Sequence, residues 1–279
     1  MNVWQALILG IVEGITEYLP ISSTGHLLLT ERALGIAQSD AADAFAICIQ
    51  AGAIFAVLGL YRQRVFDMLA GLQGRNEAGR QLAINLVAAF LPAAALGLVV
   101  HKLIKKYLFA GDAWGLWPVI GAWFVGGLAI LGVSLYRRRR RSVRGPGAGL
   151  EGLTVPLSIV IGVSQCLALW PGTSRSLVTI VGGILVGLSM SAAVEFSFLL
   201  GLLTLSAATA KDALEHGREM LAAYGWMSLA IGFVAAWLSA VLAVRWMVGY
   251  LNQHGLELFG YYRVALAVLV AVLVLRGWL

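Results

Sequence analysis

The chain has 279 residues, 60% hydrophobic and only 12% charged, with a formal net charge of +6 and a mean hydropathy of +0.85. Soluble domains carry about 25% charged residues, so the composition excludes a soluble core and points to a polytopic membrane protein. The positive surplus is not a nucleic-acid signal. The arginines at 137–141 and 144 lie in one short stretch between apolar spans, where the positive-inside rule accounts for them.

In chain order, residues 1–4 lack the basic stretch of a signal peptide, so the first apolar segment is expected to stay in the mature protein. Long unalternating apolar runs favour helices over a barrel. Spans are predicted at 44–61, 83–101, 117–136, 192–211, 225–247 and 258–276. Each is long enough for a hydrocarbon core of ~30 Å at about 1.5 Å per residue. The remaining apolar pieces, 3–19 with 26–36 and 153–170 with 177–188, are shorter and broken by Pro20 and by Pro171 and Gly172. Such breaks survive at membrane depth where protein or a cavity satisfies the freed backbone groups. They predict two re-entrant hairpins, at 3–36 and 153–188.

The halves repeat. Gly10 to Glu13 matches Gly162 to Gln165, Pro20 matches Pro171, and Phe45 matches Phe196, all displaced by 151 or 152 residues. One hairpin plus three crossings per half is an odd number of crossings. Half two, about 143–279, must therefore insert upside down relative to half one, about 1–142. The fold expected is an all-α membrane protein built as an inverted repeat. Arg62, Arg64, Arg75, Arg80 and the arginine run face the cytoplasm. Both termini, the loop with Lys102, Lys105 and Lys106, and the loop with Asp212, Glu215, His216, Arg218 and Glu219 then lie outside. Trp114, Trp117, Tyr224 and Trp226 fall near span ends, as interfacial aromatics do. Cys48 and Cys166 read as buried free thiols.

Polar residues cluster at the two breaks. Glu13 and Glu17 are four apart, which puts both carboxylates on one helical face. A divalent cation would relieve their repulsion, and oxygen ligands suit Mg²⁺ or Ca²⁺; pairing with Arg175 is the alternative. Ser22, Ser23, Thr24, Gly25 and His26 follow Pro20. Ser23 and His26, three apart, can form a nucleophile–base couple; His26 can instead attack or activate water, and Ser22 and Thr24 suit helix capping. In the second break, Gly172, Ser174, Arg175, Ser176 and Thr179 lead into an apolar helix. Its N-terminus and the forked guanidinium suit a phosphate. Glu195 is read either as a helper at the site or as an acid in a first helical turn. Gln50 is read as a hydrogen bond across the bundle, and Asp43 as the start of a span. His101, His216 and His254 read as solvated.

These residues resemble the undecaprenyl-diphosphatase family, also called the bacitracin-resistance protein family. The likeness rests on Glu13 and Glu17, on Pro20 to His26, and on Pro171 to Thr179, with the Gln165-to-Trp170 and Glu195-to-Leu200 phrases beside them. It covers nearly the whole chain. It implies removal of the terminal phosphate from a C55 polyprenyl diphosphate, giving the monophosphate lipid carrier of cell-wall synthesis, with a divalent metal and an outward-facing site in the bacterial inner membrane. The chain departs from the family pattern at Ala46, where an acid is expected, near Leu203, where a proline is expected, and at Met190, where a basic residue is common.

On this reading Glu13 and Glu17 hold the metal. Ser23, His26, Glu17 and Arg175 are catalytic, and Ser22, Thr24, Gly172, Ser174, Arg175, Ser176 and Thr179 bind phosphate. Two rivals use the same parts: a transporter that carries a lipid phosphate through the anion clamp, and a cation carrier built on Glu13 and Glu17. The Ser23–His26 couple favours chemistry, and Arg175 disfavours a cation path. Small residues such as Gly182, Gly183 and Gly187 permit close helix contact, within one chain or in a homodimer.

Overall fold

A computed structural model describes residues 1–37, 39–104, 116–144 and 147–279. Lys105, Lys106 and Trp114 lie outside the described residues, as do the side chains of Asp43, His101, Lys102, His216, Glu219 and the arginines at 140, 141 and 144. The regular structure of the described residues is all helix, joined by short turns, apart from one isolated bridge between Ala148 and Leu188.

The first hairpin is α1 (Val3–Thr16) and α2 (Ser23–Ala33). Asn2 opens α1 with a capping box: its side chain accepts from the Gln5 backbone while Gln5 reaches back. The second hairpin is α7 (Val155–Gln165), a 3₁₀ turn over Cys166–Leu169, and α8 (Arg175–Leu185). Between them run α3 (Asp40–Leu60), α4 (Arg62–Leu72), α5 (Glu77–Ile104) and α6 (Trp117–Arg144); α9 (Met190–Gln253) and α10 (Glu257–Leu275) close the chain. At 14 residues α1 is about 21 Å long, and at 11 residues α8 is about 16 Å. Neither crosses a core of ~30 Å alone.

Among the described residues, five stretches are long and apolar enough to cross: Glu77–Val100, Trp117–Arg139, Met190–Glu215, Met220–Gln253 and Glu257–Leu275. A sixth joins Ala44–Leu60 to α4 through a bend of 77°. The chain is therefore an all-α polytopic membrane protein. Two details differ from expectation. The arginine-bearing stretch after residue 61 is not a loop but the helix α4, folded back at Tyr61. The charged stretch 212–224 is helical too, because Ala, Leu, Glu, Lys and Met are strong helix formers. The helical path of α9 is broken at Gly225, at φ 70° and ψ 159°, near the start of its second crossing.

Each hairpin packs on a helix distant in the chain, α1 on α9 and α7 on α5. A methyl at Gly10 of α1 would run into the Gly232 carbonyl of α9, and one at Gly162 of α7 into the Ala89 carbonyl of α5. These repeat-related glycines let backbones touch, which is how membrane helices gain contact area without a hydrophobic driving force between them. Phe45 and Phe196, paired by the repeat, are both fully buried. Leu34, beyond α2, accepts from the Gln5 side chain and closes the base of the first hairpin. Gln50 accepts from Thr209 across the bundle. The carboxylate of Glu195, early in α9, is taken by Arg64 at 2.6 Å. Both cysteines are free.

Candidate active site

The two breaks are built alike. Ser22 (φ 75°) and Ser174 (φ 47°) are the positive-φ non-glycine residues of the described chain, and each immediately precedes the second arm of its hairpin. Left-handed backbone at a serine is costly and persists where the surroundings over-determine it, typically at functional sites. The two N-termini then diverge. Ser174 caps α8 by accepting from the Leu177 amide at 3.2 Å. No side chain caps α2, so its first N–H groups remain open to an anion.

The breaks are stitched face to face. The Ser176 hydroxyl donates to the Leu19 carbonyl at 2.9 Å, Ser174 reaches the same oxygen at 3.4 Å, and the two hydroxyls meet at 3.0 Å. Thr179, one turn into α8, meets the Ser197 hydroxyl at 2.6 Å and donates to the Arg175 carbonyl. Gly172 presents its carbonyl to Arg263 at 3.0 Å. In this arrangement the hydroxyls of Ser174 and Ser176 tie the hairpins together, and that of Thr179 ties α8 to α9. Their use as phosphate donors would require those bonds to be exchanged.

At the seam, three expected residues come together. The Ser23 hydroxyl donates to Glu17 Oε2 at 2.5 Å. The other Glu17 oxygen receives Arg175 Nη2 at 3.4 Å, and Arg175 Nη1 donates to the Ser197 carbonyl at 3.1 Å. The guanidinium lies over the Tyr18 ring, 5.5 Å from its centre, and fills the space that a methyl at Gly201 would take. Glu13, four residues before Glu17 in α1, is buried with it, and the two carboxyls interact. Two buried carboxyls this near each other favour a proton or a cation between them.

His26 is placed differently from expectation. Its ring contacts the Ser22 carbonyl through Nδ1 at 2.6 Å and the Tyr262 hydroxyl through Nε2 at 2.8 Å. A carbonyl only accepts, so Nδ1 carries the proton and Nε2 receives from Tyr262. Both ring nitrogens are thus occupied, and the Ser23–His26 couple expected from their spacing is not formed; Ser23 pairs with Glu17 instead. The reason is that Ser22 bends the chain just before α2. That bend turns Ser23 back toward α1 and leaves His26, one turn on, beside α10. Ser22 is buried, and Thr24 is exposed.

Six buried side-chain atoms lack a hydrogen-bond partner among the described residues, and three of them converge here: Glu13 Oε2, the Tyr18 hydroxyl and Arg175 Nε. Each orphaned buried polar atom costs about 1–3 kcal/mol. Their concentration between two glutamates and an arginine marks a place prepared for a ligand. Glu13 Oε2 is a free acceptor, and the Glu13–Glu17 contact admits a cation in place of a proton. The pair therefore fits a divalent ion whose other ligands come from substrate oxygens and water, as Mg²⁺ commonly uses one or two carboxylates. No group of three or more metal-ligating side chains occurs among the described residues.

The sequence reading does not single out Tyr18, Ser197, Gly201, Tyr262 or Arg263 as site residues. Ser197 and Gly201 lie in an ordinary apolar helix. Arg263, in contrast, is a lone charge inside an apolar span, a recognised signal.

The sequence matches the family described as Bacitracin resistance protein BacA over residues 6–269. Among curated relatives, the Undecaprenyl-diphosphatase of Sorangium cellulosum is 45% identical over 96% of this chain and 85% of its own length. The Undecaprenyl-diphosphatase 2 of Rhodospirillum rubrum is 45% identical, covering 95% of this chain and 93% of its own. That of Nitrosomonas europaea is 43% identical, covering 98% and 95%. The match runs through both broken hairpins, the Glu17–Ser23–Arg175 cluster and most of α10, and on that basis the chain belongs to the bacitracin resistance protein BacA family.

Proposed function

We propose that the protein is a membrane phosphatase that converts undecaprenyl diphosphate to the monophosphate lipid carrier and inorganic phosphate. The observation that carries this reading is the Ser23–Glu17–Arg175 arrangement beside the uncapped N-terminus of α2. It supplies a hydroxyl, an acceptor for its proton and an anion clamp within one contact shell. A carrier of lipid phosphate would need the clamp but not the hydroxyl–carboxylate pair.

The terminal phosphoryl group is held by the α2 N–H groups and by Arg175, whose Nε is free to donate. Ser23 Oγ attacks the terminal phosphorus and passes its proton to Glu17. The P–O bond to the bridging oxygen breaks, and the polyprenyl monophosphate leaves with that oxygen. Water then cleaves the phosphoserine, releasing phosphate and regenerating Ser23. Fixed donors aimed at the phosphoryl oxygens stabilise the charge that develops there. Glu13 and Glu17 would hold Mg²⁺ or Ca²⁺, and the ion when bound supplies charge neutralisation on the diphosphate. His26, oriented by Ser22 and Tyr262, buttresses the start of α2.

In the cell we place the protein in the bacterial inner membrane with its site and both termini facing outward, and the halves 1–142 and 143–279 in opposite orientation. This follows from the arginine bias and the odd number of crossings per half. The testing experiment is phosphate release from a C55 isoprenyl diphosphate by detergent-purified protein, with EDTA and with Mg²⁺ or Ca²⁺ restored. Metal-dependent release that is lost in Glu17→Ala and Arg175→Ala supports the assignment. Binding of the lipid without release would transfer it to the transporter.

A further inference from the structure

Among the described residues, Arg263 is the second-largest fully buried side chain, with no exposed surface, and no carboxylate bonds it. It is instead held by four backbone carbonyls. Nη1 donates to Pro20 at 3.4 Å, Nη2 to Gly172 at 3.0 Å and to Ala122 at 2.8 Å, and Nε to Trp123 at 3.4 Å. Pro20 and Gly172 are the break residues of the first and second hairpins. One guanidinium therefore bonds both interrupted backbones, where carbonyls released from helical pairing need donors.

The surroundings are shaped for this group. The space a methyl would take at Gly126 of α6 is filled by the guanidinium. Trp123, also of α6, donates its indole N–H to the Ile21 carbonyl at 3.1 Å, one residue beyond Pro20. Helices α6 and α10 approach closely at Gly127 and Gly260. Together they form a base on which both breaks rest. On one side, the chain from Pro20 leads to Ser23. On the other, the chain from Gly172 leads to Arg175. The planar fork of arginine suits several carbonyls at fixed angles, whereas a lysine ammonium presents one point.

We propose that Arg263 is the positioning residue of the phosphatase: it fixes the spacing between the break that carries Ser23 and the break that carries Arg175. Arg263 does not touch the phosphoryl group; it acts through the Pro20 and Gly172 carbonyls. The proposal rests on the diphosphatase reading for its kinetic consequences and on the geometry alone for its structural ones.

The test uses the full-length protein in detergent, as the parent and as Arg263→Met, Arg263→Lys and Gly126→Ala, with two readouts. In kinetics on C55 isoprenyl diphosphate, Arg263→Met lowers kcat by about 100-fold while KM stays within about threefold, since misplacement of about 1 Å costs on that order. Arg263→Lys and Gly126→Ala fall between parent and Arg263→Met. In amide hydrogen exchange, which needs no activity, residues 17–26 and 170–177 lose protection together in Arg263→Met. If that variant fails to fold, the same joint loss in Arg263→Lys and Gly126→Ala carries the test. The inference is overturned by a kcat within threefold of the parent in the folded variants. It is equally overturned by exchange that rises in only one break or in neither. An inactive parent would sink the diphosphatase reading, and joint loss of protection would still uphold the clamp.

Discussion

Ser23 and Glu17 lie six residues apart across a broken helix, and their side chains meet at 2.5 Å. A continuous helix would place residues six apart on different faces, since only neighbours three or four apart align. The contact exists because the chain reverses between Glu17 and Ser22, with Ser22 in a left-handed conformation. It gives a hydroxyl a proton acceptor in a buried setting.

Loss of either partner should remove chemistry more than binding. Ser23→Ala and Glu17→Gln are each expected to lower kcat by about 10³-fold or more, as removal of an activated nucleophile or its base does in other hydrolases. Steady-state kinetics on the C55 diphosphate check this; a Ser23→Ala enzyme within tenfold of the parent would remove Ser23 as nucleophile.

Gly201 offers a way to disturb Arg175 without changing it. A methyl there enters the space of the guanidinium, so Gly201→Ala should displace the anion clamp while leaving its charge in place. The expected result is a drop in kcat/KM of about 10- to 100-fold, in line with a misplacement of about 1 Å. Gly59, whose added methyl meets nothing within 4 Å, is the control: Gly59→Ala should be neutral.

Tyr262→Phe removes the hydroxyl bonded to His26 Nε2 and keeps the nearly parallel ring, now at 5.8 Å. One net hydrogen bond is worth about 0.5–1.5 kcal/mol, so kcat/KM should fall by roughly two- to tenfold. His26→Ala should cost more, because it also removes the bond to the Ser22 carbonyl. Equal losses in the two variants would mean that only the tyrosine contact matters.

Glu13 separates metal binding from proton acceptance. Its Oε2 has no hydrogen-bond partner among the described residues, and the Ser23 hydroxyl bonds Glu17 instead. Glu13→Gln should raise the Mg²⁺ or Ca²⁺ concentration for half-maximal activity by about tenfold or more, within the range seen when shells around bound metals are altered. Titration after EDTA treatment measures it, and an unchanged metal requirement would take Glu13 out of the cation site.

The glycine contacts between halves predict a purely structural effect. Gly162→Val places a branched side chain against the Ala89 carbonyl. Overpacking costs typically 1–3 kcal/mol, so the thermal midpoint in detergent should fall by several degrees. Any loss of activity should follow the fraction folded.

The sequence by itself determined the class of protein, the positions of most crossings, the two breaks and the main chemical parts. Apolar run length fixes which segments can span a bilayer. Charge at membrane depth singles out Glu13, Glu17 and Arg175 because each is expensive unless it has a function. Only the tertiary structure decided which parts meet. Spacing made Ser23 and His26 partners, but the left-handed Ser22 turned them to different neighbours, Glu17 and Tyr262. The hydroxyls of Ser174 and Ser176, read as phosphate donors, both bond the Leu19 carbonyl of the other hairpin. Arg263 lies far along the chain from both breaks, yet it bonds to each. Local pattern encodes helices and their interruptions, because those depend on neighbours within a turn or two. Contacts between interrupted helices depend on how segments far apart in the chain interlock, and no window of sequence contains that.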